Sequence, residues 1–115
     1  MSIELKRVYE PSAGADGYRI LVDRLWPRGL SEATAHVDLW LRRVAPSTEL
    51  RKWFGHDPEK WTEFKERYCV ELKNNPAWAE LQALSRQRDL TLLYAAKDQL
   101  HNEAVVLKEL LDSGT

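Results

Sequence analysis

Tyr18-Arg19-Ile20-Leu21-Val22-Asp23 decides the fold. The run is short, β-branched and almost continuously apolar between its ends, the pattern of a strand buried on both faces of a parallel sheet. Leu25-Trp26-Pro27-Arg28-Gly29 stops it. Pro27 withdraws a backbone donor and Gly29 tolerates a positive φ, so the chain turns there. A second run of the same kind, Leu90-Thr91-Leu92-Leu93-Tyr94-Ala95-Ala96, is followed by Lys97-Asp98-Gln99. A helical pattern then begins near His101, with Ala104, Val106, Leu107, Leu110 and Leu111 on its apolar face. Strand-to-helix transitions after residues 23 and 96 predict parallel strands with helical crossovers.

Outward from these runs, Ile3 to Tyr9 alternates at period two and reads as a half-buried strand. Pro11, Gly14, Asp16 and Gly17 form a turn-rich loop. Residues 36–42 favour a strand, although Val37, Trp40, Leu41 and Val44 also match one helical face. Ser47 caps a short helix containing Leu50, Trp53 and Phe54. Asp57-Pro58 opens a helix over 58–74 carrying Trp61, Phe64, Tyr68 and Leu72. Asn75-Pro76 opens another with Trp78, Leu81 and Leu84. The expectation is a single α/β domain over residues 1–115, a small, mostly parallel sheet of about four strands flanked by about four helices.

With 115 residues there is room for one core. Lys and Arg number 17 against 18 Asp and Glu, so the net charge is −1, which argues against a nucleic-acid coat or a polybasic membrane binder. No apolar run is long enough to span a bilayer, and the first residues lack a signal-peptide stretch, so no membrane association and a reduced cytoplasmic setting are expected. The single Cys69 excludes an internal disulfide and a Cys-based zinc cluster. Mid-helix between apolar positions, it reads as a small hydrophobe rather than a nucleophile. No H-x-x-x-H, P-loop, G-x-S-x-G or G-x-G-x-x-G spacing is present, so neither a metal nor a cofactor is expected. Five Trp against two Phe suggest an aromatic core or indoles lining a groove.

Ligands of parallel sheets collect at the carboxyl ends of strands, which points to residues 23–29 and 97–102. In the first segment, Arg24 and Arg28 offer planar donors for a carboxylate or phosphate, and Trp26 a face for a flat ligand beside the Gly29 turn. Asp23 either holds a guanidinium or acts as a base; the structural alternative is a strand-end ion pair over a buried Trp. In the second, Tyr94, Lys97, Asp98, His101 and Asn102 fall beside a helix N-terminus, where free N–H groups favour an anion and His exchanges protons near neutral pH. The alternative makes Asp98 a helix cap, with His101 packed on the first turn and Lys97 solvated. Between Arg42 and His56 four basic residues meet one acid. Trp53 and His56 in that segment are further candidates, although His56 also suits a structural contact with Trp61.

These residues lie in strings that resemble a known family. Lys6-Arg7-Val8-Tyr9, residues 17–29, Ala45-Pro46-Ser47, residues 50–57, and Leu92 to Asp98 with His101-Asn102 are similar to the YeaO-like bacterial proteins, a domain-of-unknown-function family, over about residues 3–111. The resemblance implies a small cytoplasmic α/β domain and no established activity. A broader related group ends the equivalent strand with Cys and continues with a Cys-His-Arg run. This chain has Tyr94, Lys97, His101 and Asn102 there, so no Cys-dependent or metal chemistry carries over. The regulator label borne by some members implies a winged-helix reader, which these residues do not make.

The expected function is a pocket for an anionic small molecule: a nucleotide, a sugar phosphate or a carboxylate. Arg24 and Arg28 would clamp the anion, Trp26 or Trp53 would stack on a planar part, and Gly29, Tyr94, Lys97 and Asn102 are further ligand-binding candidates. If the pocket is that of a small-molecule enzyme, His101 or His56 moves the proton, oriented by Asp98 or Asp23. The alternatives are a non-catalytic protein-interaction module and a nucleic-acid-binding or regulatory protein, the latter disfavoured by the neutral charge. The sequence fixes no oligomeric state.

Overall fold

The computed structural model describes residues 2–114. Strands β1 (Ile3–Arg7), β2 (Tyr18–Leu21), β3 (Leu39–Trp40) and β4 (Leu90–Tyr94) form one sheet in the order β1-β4-β2-β3, parallel throughout. The helices are α1 (Glu32–Ala35), α2 (Thr48–Phe54), α3 (Trp61–Lys73), α4 (Pro76–Gln87) and α5 (Glu103–Asp112). The architecture is the α/β one expected, with five helices rather than about four.

Alternation along the two central strands builds two apolar layers. Ile20, Val22, Leu90 and Leu92 face one side and pack with Phe64, Tyr68, Leu72, Leu81 and Leu107 from the long helices. Leu21 and Leu93 face the other side, with Val8 and Ala35. That second layer is covered mainly by Trp26, Leu30, Val37 and Trp40, which belong to the β2–β3 connection and β3. All five residues of β4 are buried, as a central parallel strand requires.

Local capping signals set several boundaries. Ser47 Oγ accepts from Leu50 N–H at 3.1 Å to start α2, and Asn75 Oδ1 accepts from Ala77 N–H at 2.9 Å to start α4. Other boundaries differ from the sequence pattern. Asp57 caps only a 3-10 turn over Pro58–Lys60, and the α-helix proper begins at Trp61. The last helix begins at Glu103, two residues later than the pattern, because Asn102 rather than Asp98 is its cap. The strand expected over 36–42 shrinks to Leu39–Trp40. Ser31 first nucleates α1, which ends at His36 in left-handed backbone (φ 51°). Asp38 then turns its carboxylate onto Arg19 N–H, so only Ile20 and Leu21 of β2 gain partners in β3.

Gly17 leads into β2 with φ +67°, and a Cβ there would lie 2.6 Å from the carbonyl oxygen of Asp89. That same oxygen accepts from Tyr18 N–H at 3.0 Å, so it cannot move aside freely. Gly17→Ala is therefore expected to destabilise the domain by about 1–3 kcal/mol, combining left-handed strain with a backbone clash. Urea denaturation checks it; an unchanged midpoint contradicts the account.

Candidate functional site

The carboxyl ends of β2 and β4, the central pair of strands, are stapled by a side chain. Asp23 Oδ2 accepts from Ala95 N–H at 2.9 Å, and Asp23 C=O accepts from Trp40 Nε1–H at 2.8 Å. Beyond this staple the two strand-end loops and α2 with its following turn contribute to a common cleft. The result is a cleft of about 750 Å³ lined by residues 23–26, Ala45, Pro46, Arg51, Lys52, Phe54, His56, Phe64, Ala95 to Asp98 and His101 to Glu103. Phe54 and Phe64 stack at 4.3 Å between ring centroids within its lining, and Trp61 continues the aromatic row at 5.6 Å from Phe64.

Of the residues singled out from sequence, Asp23, Arg24, Trp26, His56, Lys97, Asp98, His101 and Asn102 meet in this cleft. Arg28, Gly29, Trp53 and Tyr94 are not in its lining. Arg28 is exposed, and its carbonyl accepts from the Tyr9 hydroxyl at 2.9 Å, which fixes the loop with that side chain outside. Gly29 completes the same turn at φ 82°. Trp53 lies beneath Lys60 and Arg67, each over its ring. Tyr94 is buried in the core, and that burial raises its pKa.

The structure also gives several groups work that the pattern does not reveal. The Arg24 fork donates to the carbonyls of Pro46 (2.9 Å) and Ala45 (3.3 Å), fastening the segment before α2 to the end of β2. Arg7 does the same for the β4 loop, donating to Ala96 and Ala95 carbonyls at 3.0 and 2.9 Å. Trp26 donates Nε1–H to the Leu30 carbonyl at 2.7 Å and meets Trp40 edge-on at 5.4 Å. At the N-terminus of α5 the Val105 N–H donates to Asn102, and in the loop before it the Leu100 and His101 N–H groups, where the sequence pattern starts the helix, both donate to Asp98 Oδ1. Arg51, Lys52 and Lys97 are exposed, and no hydrogen bond or ion pair to a described residue holds them.

His101 has a defined setting. Its Nδ1 lies 2.9 Å from Asp98 Oδ2, and its ring stands edge-on to Trp61 at 5.2 Å. Hydrogen bonds from Leu100 N–H and the His101 ring, with burial opposing them, hold the Asp98 carboxyl below its usual pKa. His56 sits at φ 58°, directly after Gly55 at φ 53°, and tilts against Phe54 at 6.2 Å rather than contacting Trp61 as sequence suggested.

Glu103 is the lining residue the sequence pattern passes over. A Glu in a first helical turn already has an ordinary electrostatic explanation, so nothing marks it. In the fold it lines the cleft together with Asp23, and burial followed by that neighbour pushes its pKa well above the carboxylate range. A carboxyl raised in this way keeps its proton above the pH at which a free one ionises. Among the described residues no group of three or more His, Cys, Asp and Glu is set to hold a metal ion, and no helix is long and apolar enough to cross a membrane.

Residues 2–115 match the family described as the inactive DUF488-N3 subclade. The chain is 44% identical over 114 residues to the uncharacterised protein YeaO of Escherichia coli K12, covering 98% of this chain and 99% of that one. It is 41% identical over 110 residues to the uncharacterised protein Rv3073c of Mycobacterium tuberculosis H37Rv and, equally, to Mb3100c of Mycobacterium bovis, covering 96% of this chain and 93% of each. No solved structure matches.

Proposed function

Because this chain belongs to the inactive DUF488-N3 subclade, we propose that its cleft binds a small anionic molecule of nucleotide, sugar-phosphate or carboxylate type without transforming it. The supporting observation is the convergence of Arg51, Lys52 and Lys97, from two segments distant in sequence, on one cleft with aromatic rings in its wall. No hydrogen bond or ion pair to a described residue holds these cations, whereas the guanidinium groups of Arg7 and Arg24 donate to backbone carbonyls and that of Arg19 to two carbonyls and Asp16. A planar guanidinium and two ammonium groups around an apolar wall suit a phosphate or carboxylate attached to a ring. A volume of about 750 Å³ admits a mononucleotide-sized molecule. The family's designation as inactive favours retention of a ligand over turnover. We take the setting as cytoplasmic, in keeping with the lone free Cys69.

Trp26 in the cleft lining supplies the readout. Titration with nucleotides, sugar phosphates and dicarboxylates is expected to change the intrinsic fluorescence with at least one of them. Arg51→Ala and Lys97→Ala each remove a charge-assisted contact, so each is expected to weaken that binding about tenfold or more with the melting temperature nearly unchanged. Silence across the whole panel, or full affinity in both variants, removes the reading.

A second reading is favoured by one observation: the Asp98–His101 pair leaves the other ring nitrogen of His101 without a hydrogen bond to any described residue, beside the cleft. In that reading His101 accepts a proton from a bound substrate, and Asp98 fixes its tautomer. Turnover of a bound panel compound that is lost in His101→Gln would put catalysis in place of simple binding.

A further inference from the structure

We infer that the anion this cleft receives is amphiphilic: one carboxylate or phosphate head on an apolar body that covers Leu25 and Leu100. The inference rests on the binding reading above and narrows its ligand class.

The walls of the cleft have little hydrogen bonding left to offer. On the β4 side, Ala95 N–H donates to Asp23 Oδ2 at 2.9 Å, and the carbonyls of Ala95 and Ala96 accept from Arg7 at 2.9 and 3.0 Å. On the α2 side, the carbonyls of Ala45 and Pro46 accept from the Arg24 guanidinium at 3.3 and 2.9 Å. Beyond those engaged groups, these four residues bring only methyl and ring carbon to the lining. Among the described residues the lining holds no Ser, Thr, Tyr or Gln, and its one amide is Asn102. Both ends of that amide are in use. Its Nδ2–H donates to the Asp98 carbonyl at 2.9 Å, and its Oδ1 accepts from Val105 N–H at 3.2 Å. Trp26 gives its Nε1–H to the Leu30 carbonyl. A sugar brings several hydroxyls, each both donor and acceptor. Asp23 and Glu103 can accept from some of them, but the donors left for hydroxyl oxygens reduce to His56, His101 and the cations that the anionic head occupies. Polar atoms taken from water without partners cost affinity, so an apolar body suits this wall better.

Two exposed side chains supply an independent observation. Leu25 is 66% exposed and lines the cleft from the loop after β2. Leu100 is 72% exposed and lies in the β4–α5 loop between Asp98 and His101, both in the lining. β2 and β4 are neighbours in the sheet, and the Asp23–Ala95 bond ties their loops together. The two least covered large hydrophobic side chains among the described residues thus belong to the two loops that border one cleft. A lone surface leucine is ordinary; two on adjoining loops beside an apolar wall mark a binding surface. Arg51, Lys52 and Lys97 meet the head, and the apolar body leaves water against the alanines, Trp26 and the leucines.

Two homologous series test this: acetate to octanoate, and ethyl to octyl phosphate. Both are kept below micelle-forming concentrations and followed by Trp fluorescence. In at least one series affinity is expected to rise about two- to fourfold per added methylene. Leu25→Ser combined with Leu100→Ser changes only exposed positions, so the melting temperature is expected to hold. The same variant is expected to lower affinity for the octyl-length member about fivefold or more and to leave the shortest member little changed. Arg51→Ala is expected to weaken every member of the series alike. Affinity that does not grow with chain length in either series overturns the amphiphilic reading, and binding of a nucleotide or sugar phosphate in that case leaves the anion site standing. A rise that persists unchanged in both the leucine variant and Arg51→Ala puts the chain elsewhere on the molecule and overturns it as well. Silence to both series and to the whole ligand panel removes the anion site itself.

Discussion

Arg19→Ala is expected to cost about 3 kcal/mol of folding stability. Arg19 is only 5% exposed although it sits on a central strand. Its guanidinium donates to the carbonyls of Ala35 (3.0 Å) and His36 (2.8 Å) and to Asp16 Oδ2 at 2.5 Å. Removal leaves two carbonyls at the end of α1 without donors, each costing about 1–3 kcal/mol where water cannot replace the bond. Asp16 is not abandoned, because Lys6 and the Ala13 N–H still hold it, and this keeps the figure below the full penalty of a broken buried pair. Lys6→Ala is expected to cost under about 1 kcal/mol, since Lys6 is the more exposed partner. The Arg19 penalty also has a pH signature. Burial raises the pKa of Asp16, but the Ala13 N–H and the Lys6 and Arg19 side chains outweigh it and hold the group below 3.8. A depressed carboxylate contributes stability above its unfolded value and loses it as pH falls through the folded one, so the gap between wild type and Arg19→Ala should narrow in acid. Urea denaturation at pH 7 and near pH 3 measures both effects. A loss below about 1 kcal/mol at pH 7 would show that this arginine is not a structural fastener.

The second large effect has the opposite sign. Glu103→Gln is expected to stabilise the domain at pH 7 to 8 and to leave it nearly unchanged at pH 4. Folding raises this carboxyl well above its ordinary 4.5. The unfolded chain releases the proton as pH climbs past that value, while the folded chain keeps it. The unfolded state thus binds fewer protons, and stability declines with rising pH from about 4.5 until the folded group ionises. Glutamine has no proton to lose. The melting temperatures of the two proteins should therefore nearly coincide at pH 4 and separate progressively toward pH 8. Parallel curves over that range would mean that the Glu103 carboxyl is not held neutral by the fold.

What sequence disclosed and what it did not follows from the range of the forces involved. Ser47 and Asn75 are readable because a cap acts within three residues of itself. Ile20 and Leu92 are readable because a strand buried on both faces is apolar on both. The strand-end rule brought Asp23, Lys97 and His101 to one place without knowledge of any contact. The misplaced parts depend on distant partners. Arg28 points away because Tyr9, nineteen residues earlier, holds its carbonyl. β3 is short because Arg19 draws in Asp38. Glu103 matters because of Asp23, eighty positions away, and no local pattern records that meeting.

The sheet is insulated unequally on its two sides. One side carries the long helices; the other is roofed chiefly by the β2–β3 connection and one short helical turn. Regions with thin cover open first, below the temperature of global melting. Asp23, Arg24 and Trp26 belong to that roof, so warming should dismantle the cleft as a separate, earlier event, while the helical layer stays folded. Occupancy of the cleft would then protect one small cooperative unit of the molecule far more than the remainder.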